Sequence, residues 1–172
     1  MACTVTSGRL DFSCKTIIGG LKNIYVVGFD DANFTLTGSN VVAASAIELF
    51  KFELLNDGNT FEESNEVAKD AGTSTFTQTG TFVLKGQDAL SQPILEELTK
   101  AKTQVIVEYR DGSMRLAGLE FGVDFTIGTT SGGAIGDMNG YNVAFTGMAT
   151  SLAPFMATLT PATVSSDTVD PN

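Results

Sequence analysis

The chain has 172 residues, a formal net charge of −10, a pI near 4.2 and no histidine. This length fits one domain, and the acidic balance excludes a protein that grips nucleic acid by neutralising phosphates with clustered Lys and Arg. The lack of histidine removes the usual general base of Ser and Cys nucleophile systems and the commonest metal ligand, so we expect neither a cofactor nor a metal site.

The N-terminal segment, about residues 1–20, is predicted to form an arm rather than part of the core. Its first residues have neither the basic start nor the apolar run of a secretory signal, which predicts synthesis in a cytoplasm. Cys3 and Cys14 have no histidine partners and are predicted to be reduced, structural thiols. No later stretch reaches membrane-spanning length, so no membrane partner is expected.

Two strands and a hairpin are predicted in the next part of the chain. Residues 21–29 are rich in β-branched and aromatic side chains and predict a buried strand. Residues 46–55 alternate, with Phe50, Phe52 and Leu54 on one face, which predicts a half-buried strand. Residues 56–59 favour a turn, so residues 60–67 are predicted to return beside it as a projecting hairpin.

A threonine-rich strand and the single helix follow. Threonines occupy the odd positions from 75 to 81, followed by Val83, and large apolar residues occupy several even positions up to Leu84, which predicts a strand with unlike faces. Residues 88–102 predict a helix of about four turns that packs Leu90, Ile94 and Leu98 against a sheet. Pro93 is tolerated only near a helix start, so this helix is predicted to begin near residue 91 or 92.

The last third of the chain is predicted to be β again. Asp111-Gly112 is a pair that two-residue type I′ turns favour, and it predicts a hairpin of residues 103–110 and 113–120. A strand over residues 121–127, a glycine-rich loop over 128–136 and a final strand containing Tyr141, Val143 and Phe145 complete the pattern.

About eight strands in hairpin order with one inserted helix predict a mainly β fold, an antiparallel β-sandwich or barrel with the helix packed at its side. Residues 1–156, including the arm, are predicted to form one domain. Residues 157–172 are predicted to be an extended or disordered tail.

Candidate enzymatic chemistry is limited to carboxylates. Glu62, Glu63, Glu66, Asp70 and the Glu96-Glu97 pair contain the residue type that glycosidases use, but solvated charges on a hairpin and a helix explain them better. We therefore expect a protein that is not an enzyme.

Three segments of the sequence resemble structural proteins of tailed phages that infect Bacteroidetes-type bacteria, and most of residues 1–155 fit the same pattern. The segments are Cys14 with residues 19–25, Phe61-Glu62-Glu63, and residues 137–141 with Phe145. The resemblance implies a subunit of a phage tail tube, a β-sandwich that closes into rings, usually hexameric, which stack around a negatively charged DNA channel.

The resemblance also implies the partners and location of the chain. The expected partners are further copies of itself, other phage tail proteins, and viral DNA that passes through the lumen without specific binding. The expected location is the virion, after synthesis in the bacterial host cytoplasm. A neck or head decoration protein, or a displayed module that binds carbohydrate or a receptor through residues 128–137, is the alternative. Candidate subunit contacts are Ile17, Ile18, Leu21, Asp57, Phe61, Ile135, Met138, Pro154 and Phe155.

Overall fold

A computed structural model describes residues 7–9, 18–38, 40–43, 47–55, 58–157, 159 and 163–165. The predictions for Cys3, Cys14, Ile17, Asp57 and most of the N-terminal arm lie outside these residues. The described elements are twelve strands and one helix: β1 Leu21–Gly28, β2 Phe34–Thr37, β3 Asn40–Ala43, β4 Glu48–Glu53, β5 Thr60–Ala68, β6 Thr73–Lys85, α1 Ser91–Leu98, β7 Thr103–Tyr109, β8 Met114–Ala117, β9 Val123–Thr130, β10 Gly140–Ala149, β11 Phe155–Met156 and β12 Thr163–Ser165.

The strands form a β-sandwich with one helix, so the predicted fold class is confirmed. The first sheet has the order β4-β1-β7-β8-β11-β3-β2, with β12 added beside β4, and the second sheet has the order β9-β10-β6-β5. β7 pairs with β9 only at Thr103–Val123, where the hydrogen-bonded path passes from one sheet to the other. Two pairs, β11 with β3 and β12 with β4, are parallel, and the other pairs are antiparallel.

A glycine corner makes the transition between the sheets. Gly118 and Gly122 both have positive φ, and the Gly122 amide donates to the Gly118 carbonyl at 3.0 Å. A Cβ on Gly118 would lie 2.8 Å from the Gly122 carbonyl carbon, so only glycine fits. The chain therefore leaves β8 and enters β9 in the other sheet within five residues.

The main core, which we call the interior cluster, lies between the two sheets. Ile24, Val105 and Val107 of the first sheet face Phe82 and Phe145 of the second, and all five are almost completely buried. Side chains of this kind are typically worth about 1.5 to 3 kcal/mol each when buried. This packing holds the two sheets face to face.

A second cluster lies on the opposite face of the first sheet. Tyr25 and Val27 alternate with Ile24 and Val26 and pack with Leu49, Ile106, Leu116 and their neighbours. Both faces of β1 are therefore buried, which explains why its sequence is a nearly continuous apolar run, and the prediction of a buried strand there is confirmed.

The predicted hairpin of residues 46–55 with 60–67 is wrong. β4 pairs with β1 and β12, whereas β5 pairs with β6 through a turn at residues 69–72 in which Gly72 has φ 66°. β4 is held by side chains on both of its faces, because Leu49 enters the second cluster while Phe52 and Leu54 pack on the interior cluster. Phe50, predicted to be buried, is exposed.

The helix starts at Ser91 as expected but is shorter and rotated from the prediction. It has eight residues and buries Leu95, with Leu98 packed beside it on the interior cluster. Leu90 and Ile94 are exposed because Leu90 precedes the helix and the buried stripe passes through Leu95. In the described ranges no helix is long and apolar enough to cross a membrane.

The predicted β7–β8 hairpin is confirmed, but its loop has three residues rather than two. Tyr109 and Ser113 close it with an amide-to-carbonyl distance of 2.9 Å, and Gly112, with φ 86°, donates to the Tyr109 carbonyl. This is the three-residue loop that ends in a left-handed glycine.

The predicted count of about eight strands is too low for the described part of the chain. The additional strands β2, β3, β11 and β12 have two to four residues each, too few for alternation to show in the sequence. β12 lies within the segment predicted to be an extended or disordered tail.

Candidate functional site

The most distinctive surface is the solvent face of the second sheet, which we call the outer face. Strand alternation creates it: the side chains of Phe61, Phe82, Phe125 and Phe145 point into the interior cluster, so the residues between them point outward. The outward positions of β5, β6, β10 and β9 are Thr60, Glu62, Ser64, Glu66 and Ala68; the odd residues of 73–85; the even residues of 140–148; and Asp124, Thr126, Gly128 and Thr130.

The outer face is polar and nearly free of positive charge. Threonine fills every odd position of β6 from Thr73 to Thr81, as predicted, and Thr60 and Thr81 hydrogen-bond to each other at 2.9 Å. Among these outward positions the only basic residue is Lys85, at the end of β6. Three of the outward residues, Glu62, Glu66 and Asp124, are carboxylates. Such a face repels polyanions and offers them a single cation, at the end of β6.

The strand registers align the outer-face residues in rows across all four strands. One row runs Glu62, Thr79, Thr146, Asp124, with a carboxylate at each end. The adjacent row has an alanine, Ala144, in place of a second central threonine. The resulting surface has carboxylates at both margins.

An open depression of 290 Å³ lies in this face where small residues meet. Its lining includes Gly128 and Ala144 together with Thr81, Thr126 and Asn142. It contains no charged side chain, so it offers a shallow polar contact rather than a reaction site.

The second sheet ends in strands that have unpaired edges. β5 is the last strand in the order, and its outer edge has no strand partner among the described residues. β9 has a partner on its outer edge only at Val123, while α1 packs beside this strand. Unpaired N–H and C=O groups along such edges are templates for pairing with another chain.

A buried polar network fastens β5 to the first sheet. The Glu63 carboxylate, 5% exposed, accepts hydrogen bonds from the Ala153 amide at 2.6 Å and from Gln78 Nε2 at 3.3 Å. Its Oε2 lies 2.7 Å from Arg115 Nη1, an ion pair without hydrogen-bond geometry. Arg115 Nε in turn donates to the Ala153 carbonyl at 3.0 Å.

Tyr109 lies at the border of this network. Burial raises the pKa of the Tyr109 hydroxyl, while its hydrogen bond with Arg115 acts in the opposite direction. The charged groups of the network, Glu63 and Arg115, are thus both engaged in contacts that hold strands together.

A second polar cluster lies at the end of β1. Glu108 accepts hydrogen bonds from Asn23 at 2.7 Å, from the Tyr25 hydroxyl at 2.8 Å and from Lys22 at 2.9 Å. Desolvation raises the pKa of Glu108, but these three donors together outweigh it and leave the pKa lowered. Burial, followed by the hydrogen bond to Glu108, raises the pKa of Tyr25 to about 12.

The candidate carboxylates do not converge on one reaction centre. Glu62 and Glu66 point to the outer face, whereas Glu63 points to the opposite face and is paired with Arg115. The Glu96-Glu97 pair is exposed on α1. In the ranges that the structure describes, no group of three or more acidic, Cys or His side chains is arranged to hold a metal ion.

The described subunit-contact residues that were predicted fall into three groups. Leu21 is buried in the interior cluster and Phe61 stacks on Phe145 with ring centres 6.1 Å apart, so both pack within their own chain. Pro154 and Met138 are half-buried, and the Pro154 carbonyl accepts the Leu116 amide. Ile18, Ile135 and Phe155 are exposed, with the Arg115 guanidinium 5.1 Å from the Phe155 ring centre.

The outer face and the sheet edges were not predicted from the sequence. The threonine row was recognised as one face of a strand, but the strands that would lie beside it could not be identified from alternation alone. Comparison with known protein families, with curated proteins and with solved structures found no match.

Proposed function

We propose that this chain is a structural subunit of a phage tail tube, which assembles into rings whose outer faces line a channel for DNA. The observation that supports this most directly is the outer face itself, a four-stranded, threonine-rich surface without basic residues except Lys85. DNA contacts that neutralise no phosphate release no counterions, so the polymer slides without sticking.

The sheet edges supply a means of assembly. β5 stands at one end of the second sheet with an unpaired outer edge, and β9 stands at the other end with an outer edge that β7 pairs only at Val123, so each presents backbone groups that a neighbouring copy can pair. Repetition of this head-to-tail contact by rotation produces a closed ring, in which the second sheets form one continuous wall. The net charge of −10 per chain, repeated around the ring, gives that wall a strongly negative potential.

The proposal is tested by negative-stain electron microscopy of the purified protein over a concentration series, combined with light-scattering mass. We expect rings or tubes with a central hole. A protein that stays monomeric at every concentration and in virion-like buffers contradicts the proposal.

A variant of the outer face tests the role of the channel. Thr79→Lys together with Thr146→Lys places two cations in the centre of the outer face, and we expect the tubes to form but to bind DNA with a steep salt dependence. Substitution by Lys of Gln92 on α1 and of Thr99, the residue that follows α1, adds the same charge elsewhere and serves as the control. Equal DNA binding by both variants would mean that the outer face does not line a channel.

The second candidate is a displayed binding module, and the loop between β9 and β10 favours it. Ile135 is completely exposed at this loop, and Asp137 fixes the loop by accepting the Gly133 and Ala134 amides, each at 2.8 Å. These two backbone donors lower the pKa of Asp137. A stable monomer that binds glycans, and loses that binding in Ile135→Ser, would establish this function instead.

A further inference from the structure

A lysine lies at the β9 end of the second sheet and carboxylates lie at the β5 end. Lys102 packs along the glycine corner, where a Cβ on Gly122 would come within 2.8 Å of Lys102 Cε and Cγ. Its Nζ lies 4.0 Å from the centre of the Phe29 ring, and the side chain is exposed. At the other end, Glu62 and Glu66 lie on the edge strand β5.

We propose that copies of this chain join with β5 of one copy beside β9 of the next, and that Glu66 forms an ion pair with Lys102 of that neighbouring copy. This inference rests on the proposed ring assembly and specifies its contact. The occupant of the β5 edge is therefore a second copy of the chain.

Strand direction favours this join. β9, β10, β6 and β5 are successively antiparallel, so β5 and β9 run in opposite directions. Placing β9 of one copy beside β5 of another continues the alternation of strand directions along the part of β9 that β7 does not pair. The antiparallel hydrogen-bond pattern of the sheet is then the same at the join as within each copy.

Like charges exclude the unstaggered register. Without stagger, Glu62 of one copy faces Asp124 of the next, because both lie in one row of the sheet. Two carboxylates directly opposite each other are destabilising. A slip of one residue is also excluded, since it turns the outer-face residues inward.

A two-residue stagger relieves this repulsion and creates favourable contacts. When Ser64 faces Asp124, Glu66 reaches the level of Gly122, against which Lys102 lies. The same step brings Val67 level with Phe121, which are 60% and 57% exposed in the isolated chain. Staggering in the opposite direction brings Glu62 level with Gly122 and Glu63, rather than Val67, level with Phe121, so it leaves both apolar side chains uncovered.

Charge complementarity extends beyond the single pair. The β5–β6 hairpin continues past the end of β10, whose last residue, Ala149, is opposite Phe76, and its projecting part contains two carboxylates, Glu66 and Asp70, and one cation, Lys69. The segment after α1 contains Lys100 and Lys102, which are both exposed. The projecting acidic hairpin therefore meets a basic segment of the neighbour.

The test is charge reversal. Light scattering measures the concentration at which half of the chains are assembled. We expect Glu66→Lys and Lys102→Glu each to raise that concentration about tenfold or more, because each replaces an attraction by a repulsion. The combination of both should return it to within about threefold of the unmodified protein. Lys85→Glu, which makes the same charge change at the far end of β6, should leave it unaltered.

The outcomes separate this inference from the proposed function. Rings that form normally in both single variants overturn the Glu66–Lys102 contact and leave the tube proposal intact. An unmodified protein that never assembles overturns both. Circular dichroism and thermal unfolding of each variant verify that the chain is still folded.

A crosslinking experiment tests the register independently. In a background of Cys3→Ser and Cys14→Ser, Val67→Cys with Phe121→Cys should give disulfide-linked multimers on mild oxidation of the assembled protein. Val67→Cys with Ile135→Cys is the matched control and should remain uncrosslinked. Equal crosslinking in both, or none in the first, contradicts the register.

Discussion

Replacement of Arg115 tests how firmly β5 is attached to the body of the protein. Arg115→Met removes the guanidinium but keeps a long apolar side chain, and it leaves the Glu63 carboxylate, 5% exposed, without its cation. Breaking a buried ion pair in this way typically costs about 3 to 5 kcal/mol. The variant also loses the donor to the Ala153 carbonyl.

We measure this cost as the decrease in the free energy of unfolding in urea relative to the unmodified protein. For a chain of this size, a loss of 3 to 5 kcal/mol corresponds to a fall in Tm of roughly 6 to 20 °C. The double variant Arg115→Met with Glu63→Gln removes both charges, and we expect it to recover at least half of the loss because no unpaired carboxylate stays buried.

Amide hydrogen exchange identifies where the loss acts. In Arg115→Met the amides of β5 should lose protection before those of β1, because Glu63 is the polar link between β5 and the first sheet. A loss of stability under about 1 kcal/mol, or equal stability of the single and double variants, would refute this account of the network. Lys85→Met, at an exposed end of β6, is the control.

Three further predictions concern packing and pH. Gly80→Ala should destabilise the fold by about 1 to 3 kcal/mol in urea unfolding, because its Cβ would lie 2.2 Å from Phe145 Cε1; an unaltered unfolding midpoint would show that the ring moves aside freely. Leu95→Ala should lower the free energy of unfolding by about 2 to 5 kcal/mol and Ile94→Ala by less than about 1 kcal/mol, since Leu95 is 2% exposed and Ile94 is 38% exposed. The reverse order would mean that the helix is rotated. The folded pKa of Tyr25, about 12, is above its unfolded value of 10.0. The contribution of the Tyr25 hydroxyl to the free energy of unfolding is therefore complete below pH 10 and is lost as the pH rises towards 12. Between pH 8 and pH 11.5 the free energy of unfolding in urea should therefore decline with rising pH, and the decline should be smaller in Tyr25→Phe. Equal declines in the two proteins would contradict the assignment of this pH dependence to Tyr25.

The sequence predicts those elements whose signal is local. β1 and β10 have clear apolar patterns, β6 has its threonine row, and the β7–β8 hairpin has its Asp-Gly turn, so their residues alone determine their type. The loop length of that hairpin could not be predicted, because Asp-Gly also suits a three-residue loop that ends in a left-handed glycine.

Pairing between distant strands could not be predicted in the same way. The turn signal after β4 suggested a hairpin, but Leu49 and Phe52 are buried in different clusters, which fixes β4 beside β1 instead. The helix shows the same limit, since both Ile94 and Leu95 fit an apolar stripe and only the position of the sheet decides between them. The outer face and its edges depend on these pairings, so the candidate site was visible only as a threonine row.

The double-sided burial of β1 also has a consequence for synthesis on the ribosome. β4 can pair with one edge of β1 soon after β1 has been made, but its other edge pairs with β7, which begins at Thr103, so that edge has no partner until more than half of the chain has been made. At a synthesis rate of about 5 to 20 residues per second, that interval lasts roughly 4 to 15 s. During this time β1 exposes one unpaired apolar edge, which is a template for pairing with another chain until β7 emerges.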